Sequence, residues 1–394
     1  MITPKVSGIA TWGGSVWLSF KISGFALLVA AYSFSAVGDP LDTWTVATTE
    51  FRQNLYGVAY GDGRYVAVGS GLILTSTNGA FWQQAASPNN SLFGVSFANG
   101  TFVAVGAGGL ILKSTNTGNW VAQPSPTTNQ LNHVEYYGSF FLAGGNTGTL
   151  LVSSNGTIWT LGPPATSRAL VGSASGNDVF VAVARGQSNP GTLLTSSNAL
   201  DWVARSFSGL GFPYGIAFGK GLFVMLDARG LVNTSPDGIQ WATRSTVTSD
   251  YLFGITFAQH TFAAVGGPYG GGSQKIATSL DGLNWRLRPI STGRSGALRA
   301  VTYGNGYFIA VGDGGLILRS GPVSTLRVIA VDEGTASLVL DGEIGRSYRI
   351  ETTSSLSGSN WADLVTITNT TEATPVFDDQ AEISPMRFYR AITP

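Results

Sequence analysis

Ser76-Thr77-Asn78-Gly79-Ala80-Phe81-Trp82 returns along the chain as Ser235-Pro236-Asp237-Gly238-Ile239-Gln240-Trp241 and as Ser279-Leu280-Asp281-Gly282-Leu283-Asn284-Trp285. The chemistry is that of a hairpin turn: Asn or Asp caps backbone N–H groups with its side chain, and Gly takes the φ > 0 position. The indole then packs across the hairpin. Trp44, Trp82, Trp120, Trp159, Trp202, Trp241 and Trp285 stand 38, 38, 39, 43, 39 and 44 residues apart, and six of the seven close the motif.

Between tryptophans each repeat holds three more strand signals. Tyr56-Gly57-Val58-Ala59-Tyr60 leads through Asp62-Gly63 into Tyr65-Val66-Ala67-Val68-Gly69 and then Leu72-Ile73-Leu74, an order repeated from Phe93 to Leu112 and from Arg299 to Leu318. Four strands in about 40 residues is the signature of a β-propeller blade. Large and small residues alternate, as in Val58 and Tyr60 against Gly57 and Ala59, so the small face of one blade is expected to receive the bulky face of the next. Seven three-strand units begin near Leu55, Leu92, Leu131, Leu170, Phe212, Leu252 and Leu298, but Trp44 precedes the first of them. After Ser320 the slot for a further Trp holds Leu326, so the strand around Trp44 is expected to pair with the unit at 298–320 and close the ring. The expected fold is all-β: a seven-bladed β-propeller followed by a small β-sandwich.

The Ser-x-Asp/Asn-Gly-x-x-Trp repeats resemble those of Asp-box (bacterial neuraminidase repeat, or BNR-like) propellers, shared by sialidases, certain tandem-propeller glucanases and the photosystem II assembly factor propeller. The resemblance spans about 280 residues and implies a fold rather than an activity. The spacing departs from the usual Asp box, which has one further residue before Gly. Asn replaces Asp in four of six copies, Gly is missing at Ala199-Leu200, and it is shifted to Gly118 in the copy ending at Trp120.

Outside the repeats the composition changes. Residues 1–38 carry Lys5 and Lys21 and no acid, then an apolar stretch from Ile22 to Tyr32 and small residues through Gly38. That is the layout of a secretory signal with cleavage before Asp39. It places the mature protein in the cell envelope or outside the cell. Residues 39–322 form the propeller and 323–394 a C-terminal module. Residues 41–320 hold 15 basic and 11 acidic residues, while 321–394 hold 5 and 10. In the module, Thr335–Leu340, Ser347–Thr352 and Val365–Thr368 read as strands, and Asp341-Gly342 as a hairpin signal. The run Tyr348 to Glu351, then Asn360-Trp361, then Arg387 to Ala391 resembles a fibronectin III-like module of secreted bacterial proteins.

The whole chain has 22 basic and 22 acidic residues, so nucleic-acid binding has no overall electrostatic basis. No cysteine is present, which excludes disulfides, thiolate catalysis and Cys-ligated zinc. Two histidines give little material for a metal site or a triad. No cofactor and no metal are expected. His260 falls at a hairpin tip and reads as a turn residue. His133 replaces the small residue found as Gly57, Gly94, Gly172, Gly215, Gly254 and Ala300, and Glu135 lies two residues on, hence on the same face. A His–Glu pair beside the central channel binds a ligand or shifts a pKa for proton transfer; the structural alternative is a mutually satisfied pair between blades.

Arginine outnumbers lysine 17 to 5. Arg52, Arg168, Arg185, Arg229, Arg294 and Arg299 all map to the face that carries the blade-to-blade connections. Arginine forks suit carboxylate, sulfate or phosphate groups, with scattered surface charge as the plain alternative. The long connections Arg185–Pro190 and Gly267–Lys275 lie on the same face. Arg205, Arg244 and Arg288 read instead as guards of the outer strand edges. The expected function is a monomeric, exported, non-catalytic propeller that binds a protein partner or an anionic glycan through this loop face. The alternative is a polysaccharide-active hydrolase or lyase using carboxylates there, with Asp227, Asp250 and Asp313 as candidates beside Glu50 and Glu135.

Overall fold

The computed structural model describes residues 6–12, 15–22, 25–29, 31–32, 39–186, 191–207, 209, 211–228, 230–268, 272–332, 335–342, 345–354, 361–370, 373–379 and 387–392. The chain divides into two compact units, one of residues 43–304 with 308–319, the other of residues 1–42, 305–307 and 320–394.

In the first unit every repeat becomes one antiparallel sheet of four strands, and seven such sheets are formed among the described residues. The first comprises Leu55–Gly61, Arg64–Gly69, Leu72–Ser76 and Gln83–Ala86. The second to sixth begin with Leu92–Ala98, Leu131–Tyr137, Ala169–Gly176, Pro213–Gly219 and Tyr251–Ala258. The seventh takes Leu298–Gly304, Tyr307–Gly312 and Ile317–Ser320, and its fourth strand is Trp44–Val46. Ala47 N–H donates to the Ile317 carbonyl at 2.9 Å, and Thr48 N–H goes on to the Ala80 carbonyl of the first sheet at 2.9 Å. The innermost strands touch in sequence, and Leu298–Gly304 packs on Leu55–Gly61, so the set of sheets closes on itself. This is the β-propeller arrangement.

Packing between sheets follows size. A Cβ added at Gly61 would lie 2.0 Å from the Phe97 ring, at Gly176 2.3 Å from Phe218, at Gly219 2.2 Å from Phe257, and at Gly304 2.0 Å from Tyr60. The last of these is the contact where the seventh sheet meets the first. Each of these rings packs at a tilt against the aromatic near the start of its sheet's second strand, as Phe97 on Phe102 and Phe218 on Phe223, with centroids 4.6 and 4.7 Å apart. The middle strands are buried, whereas the outermost expose Val121, Leu161, Val203 and Leu287.

The hairpin turns form as their residues dictate. Ser76 Oγ accepts from Gly79 N–H at 2.8 Å, Asn78 Oδ1 from Ala80 and Phe81 N–H at 3.0 and 3.1 Å, and Trp82 Nε1 donates to the Gly79 carbonyl at 3.0 Å. Gly79 has φ 70°. The two irregular copies keep the geometry without glycine: Thr117 has φ 63° and Ala199 φ 59°, and their carbonyls accept from Trp120 and Trp202. Gly118 therefore does not stand in for the missing glycine; the left-handed position belongs to Thr117. His260 does take a turn position, with φ 56°. Arg205, Arg244 and Arg288 lay Nε on Thr195, Thr234 and Thr278 of the adjacent strand at 3.0, 2.8 and 2.7 Å.

Among the described residues, the second unit carries six strands C-terminal to the repeats. Thr325–Asp332, Thr335–Asp341 and Ala373–Asp378 make one sheet; Ala362–Thr368, Ser347–Thr353 and Phe388–Ile392 make another, extended by Ala31–Tyr32. Leu326, Leu338, Leu340, Tyr348, Ile350, Val376 and Tyr389 fill one core between them. Leu326, in the vacant tryptophan slot, is thus a core residue of this unit. The expected hairpin at Asp341-Gly342 is not one, because the strands on either side belong to different sheets. Buried Asp378 accepts from Tyr389 Oη at 2.7 Å and pairs with Arg387 Nε at 2.9 Å. Near the N-terminus, Val6–Trp12, Ser15–Ile22 and Phe25–Val29 pair as an antiparallel meander. No helix among the described residues is long and apolar enough to cross a membrane.

Gly304→Ala forces a methyl into Tyr60 and should cost about 2 kcal/mol. Gly63→Ala meets nothing within 4 Å but sits at φ 67°, which costs about 1 kcal/mol. Equilibrium unfolding of both variants checks the size rule at the closing interface; an equal loss would sink it. A second expectation concerns acid. Burial alone would raise Asp237 and Asp281, but hydrogen bonds from Gln240 and Ile239, and from Asn284 and Leu283, outweigh it and hold both below their ordinary 3.8. Their stabilisation is therefore present above that value and lost as pH falls below it. The double variant Asp237→Asn/Asp281→Asn should keep its neutral-pH stability, since four sister turns already use Asn, and lose less stability than the parent between pH 4 and pH 2.

Candidate functional site at the channel mouth

Each of the first six innermost strands carries a β-bulge at the same place, seen as a register shift between Leu55 and Gly57, Leu92 and Gly94, Leu131 and His133, Leu170 and Gly172, Pro213 and Gly215, and Leu252 and Gly254. A bulge leaves one residue unpaired and re-aims its side chain. The unpaired residues are Tyr56, Phe93, Asn132, Val171, Tyr214 and Phe253, and Arg299 holds the equivalent place in the seventh sheet. Most of them line a channel of about 170 Å³ to which all seven sheets contribute.

Four of these seven are aromatic, and they pair: Tyr56 with Phe93 at 5.3 Å and Tyr214 with Phe253 at 4.9 Å, with Tyr251 stacked on Phe253 at 5.7 Å. Two of the candidate arginines join this collar. Arg185 lies over the Tyr214 ring at 4.6 Å and Arg299 over Phe253 at 4.5 Å. Arg299 also forms a two-point fork with Asp313, Nε to Oδ1 and Nη2 to Oδ2, both 2.8 Å. Its charge is met from within the protein, which removes it as an open anion fork. Of the rest, Arg52 and Arg294 lie near each other, and Arg294 bonds the Gly314 carbonyl. Burial, then the charge of Arg52, lowers the Arg294 pKa. The Arg168 carbonyl accepts from Gly148 N–H at 2.8 Å. Arg229 lies outside the described residues.

The three aspartates expected on this face are engaged or enclosed. Asp250 pairs with Lys275 at 3.3 Å, Asp313 holds Arg299 and accepts from Ala297 N–H at 3.1 Å, and Asp227 is fully buried. Of the long connections, 187–190 and 269–271 are outside the described residues. Gln274 donates to the Arg294 and Gly296 carbonyls at 2.9 and 2.8 Å.

Beneath the collar, the third and fourth sheets invert the size rule. Where other sheets direct Gly, Ala, Ser or Thr at the next sheet, the third directs His133, Glu135 and Tyr137. Where others answer with Val or Ile and an aromatic, the fourth answers with Ser173 and Ser175. Tyr137 Oη donates to Ser173 Oγ at 2.8 Å, which leaves the serine hydrogen for His133 Nε2 at 3.1 Å. His133 is thus paired with Ser173 and not with Glu135, so the expected His–Glu pair is not formed. Burial holds His133 down at about 4, the Leu170 carbonyl offsetting it only in part, and Nδ1 makes no hydrogen bond of normal geometry. The imidazole is neutral at physiological pH.

Glu135 has a different environment. It is exposed to water within the channel, and the loss of part of its bulk solvent there pushes its pKa up to about 7. Burial, then the Glu135 charge, raises Tyr137 well above its ordinary value.

Sequence inspection found His133 and Glu135 but missed the residues that accommodate them. Gly57, Gly94, Gly172, Gly215 and Gly254 face Val68, Val105, Val183, Leu226 and Val265 across the strand pair, whereas His133 faces Gly144. A Cβ at Gly144 would sit 2.1 Å from His133 Cε1. The signal was present: Phe141-Leu142-Ala143-Gly144-Gly145 stands where the second repeat has Phe102-Val103-Ala104-Val105-Gly106.

No family model matches the chain, and no curated protein does. Solved structures do match. YCF48 from Cyanidioschyzon merolae is 18% identical with TM-score 0.55, over 70% of this chain and 98% of that one. A structure described as YCF48 bound to D1 peptide is 13% identical with TM-score 0.57, over 74% and 97%. The WD40 β-propeller domain of Doa1 is 11% identical with TM-score 0.57, over 70% and 96%. The chain has a β-propeller fold. At these identities the likeness extends to the fold alone.

The inverted interface gives a double-mutant test. Gly144→Val should destabilise by about 2–3 kcal/mol through overpacking against His133, and His133→Gly in that background should recover most of it by restoring the pattern of the other sheets. Additive losses in a denaturant cycle would mean the two sites are independent.

Proposed function

We propose that the chain is an exported, non-catalytic, seven-bladed β-propeller that binds a protein partner through the mouth of its central channel. In this proposal a fibronectin III-like β-sandwich at 323–394 presents or anchors it. The observation that carries it is the collar: Tyr56, Phe93, Tyr214, Tyr251 and Phe253 gathered at one opening, with Arg185 and Arg299 stacked on two of the rings. Aromatic residues and arginine are the side chains that dominate protein–protein hot spots, because they bring large area at small entropic cost. YCF48, a propeller neighbour, has been solved bound to a D1 peptide, which supports a peptide or protein as the class of ligand.

A protein surface fits better than an anionic glycan. Arg299 is neutralised by Asp313 and Arg185 rests on an aromatic face, so neither offers the open fork that a sulfate or carboxylate recognises. Export with cleavage before Asp39 belongs to the same proposal, and such cleavage would remove Ala31–Tyr32 from the C-terminal sheet that it extends.

The test is capture from an envelope extract, comparing the parent with Tyr56→Ala and Tyr214→Ala, both half-buried, and with Asp62→Ala at a hairpin tip. A collar hot spot is worth about 2 kcal/mol, so each collar variant should lose its partner at concentrations where the parent and Asp62→Ala retain it. Retention of the same partner by both collar variants, with their folds intact by circular dichroism, would refute the collar as the binding surface.

A further inference from the structure

Glu135 occupies a position that the other sheets fill with Ala59, Ser96, Ala174, Ala217, Thr256 and Thr302. It makes no hydrogen bond and no ion pair with any described residue, although water reaches it. Around it the channel is lined both by aliphatic side chains, Val58, Val95, Ile216, Ile255 and Val301, and by the polar Asn132, His133 and Ser173. A carboxylate without an ionic partner inside a narrow channel, where protein replaces part of its bulk solvent, attracts a cation more strongly than one on an open surface.

The surroundings are arranged for a cation to do so. His133, on the same face of the same strand, is bonded to Ser173 and uncharged, so it neither pairs with Glu135 nor repels a positive ligand. The two arginines at the mouth lie over the rings of the fifth and sixth sheets, and one of them is neutralised by Asp313. Tyr56 and Phe93, from the first and second sheets, form the arc of the collar that leads to the third sheet and Glu135. Aromatic faces attract a cation on its way in, and an aliphatic wall suits a stem behind it.

We propose that the channel takes a primary ammonium on an unbranched aliphatic stem, with Glu135 as its counter-charge, the valines and isoleucines around the stem, and Tyr56 and Phe93 at the entrance. The proposal deepens the protein-partner reading and rests on it for the entrance. The same chemistry is offered by a lysine side chain of a partner and by a free alkylamine.

Titration gives the proposal a signature. The groups facing Glu135 from its own strand are His133 and Tyr137; the first strands of the second and fourth sheets, Leu92–Ala98 and Ala169–Gly176, contain no titratable residue. His133 is neutral above about 4, and Tyr137 is raised well above 10.0. Between pH 6 and pH 8 the charge in the channel wall therefore changes at Glu135, pushed up to about 7. An alkylammonium, with a pKa of about 10.4 like lysine, stays charged throughout.

The experiment is calorimetric titration of the full chain with n-pentylamine and, separately, with the blocked peptide acetyl-Gly-Lys-Gly-amide, at pH 6 and pH 8. Affinity should rise roughly tenfold from pH 6 to pH 8 as the carboxyl ionises, and Glu135→Gln should abolish both the binding and its pH dependence. Gln spares the fold an ionised carboxyl, so the variant is expected to melt no lower than the parent; Tyr137→Phe serves as a second folded control that keeps the site. Tighter binding of the peptide identifies a partner's lysine as the occupant, and tighter binding of n-pentylamine identifies a small amine; either supports the site. Equal affinity in the parent and Glu135→Gln, or no binding to the parent at pH 8, overturns it. Collar variants that still capture the partner, with amine binding intact, would undo the partner reading and leave the ammonium site standing.

Discussion

Small side chains on one sheet against large ones on the next is the constraint on which the repeat unit depends. Gly61 under Phe97, Gly176 under Phe218, Gly219 under Phe257 and Gly304 under Tyr60 are the same contact taken around a ring. Each glycine lets the neighbouring sheet approach until the aromatic fills the space that a Cβ would occupy. The last contact joins the seventh sheet to the first, and the Trp44 strand supplies the seventh sheet's missing edge. Closure leaves no innermost strand without a neighbour on either side, which is how a set of individually marginal four-stranded sheets becomes one stable body.

One interface breaks the rule in a compensated way. His133, Glu135 and Tyr137 are bulky and polar where small residues are usual, and Ser173, Ser175 and Gly144 are small where bulky ones are usual. The volumes are exchanged across the interface, and the added polar atoms of His133 and Tyr137 find Ser173. Glu135 alone is left facing the channel. Deviation from a repeat, when the neighbours have changed to suit it, singles out a place where packing alone does not explain the residue chosen. Coincidence with the collar of bulged aromatics puts this exception close to the mouth of the channel.

The hairpin turns, by contrast, are structural. Ser, Asn or Asp, and Trp satisfy the same four backbone groups in copy after copy, and Thr117 and Ala199 hold the left-handed position without glycine. Six nearly equivalent turns spread around the molecule serve the stability of each sheet.

Much of the fold was legible in the sequence. The tryptophan spacing, the turn chemistry and the large–small alternation specify four-stranded repeats, and the isolated Trp44 specified how the last sheet is completed, because each of these signals is local or strictly periodic. The C-terminal strands were legible for the same reason, but Asp341-Gly342 misled, since a turn signal does not say whether the next strand joins the same sheet. His133 and Glu135 stood out against the repeat, whereas Gly144 and the two serines did not, because their meaning lies in what they face. The arginine face was visible as a count of charges. Only the tertiary structure could place Arg299 on Asp313 and Phe253, leave Glu135 without a partner, and use a bulge in each inner strand to turn the aromatics toward one opening. Pairing, burial and side-chain direction depend on residues hundreds of positions apart meeting in space, and no local pattern encodes that meeting.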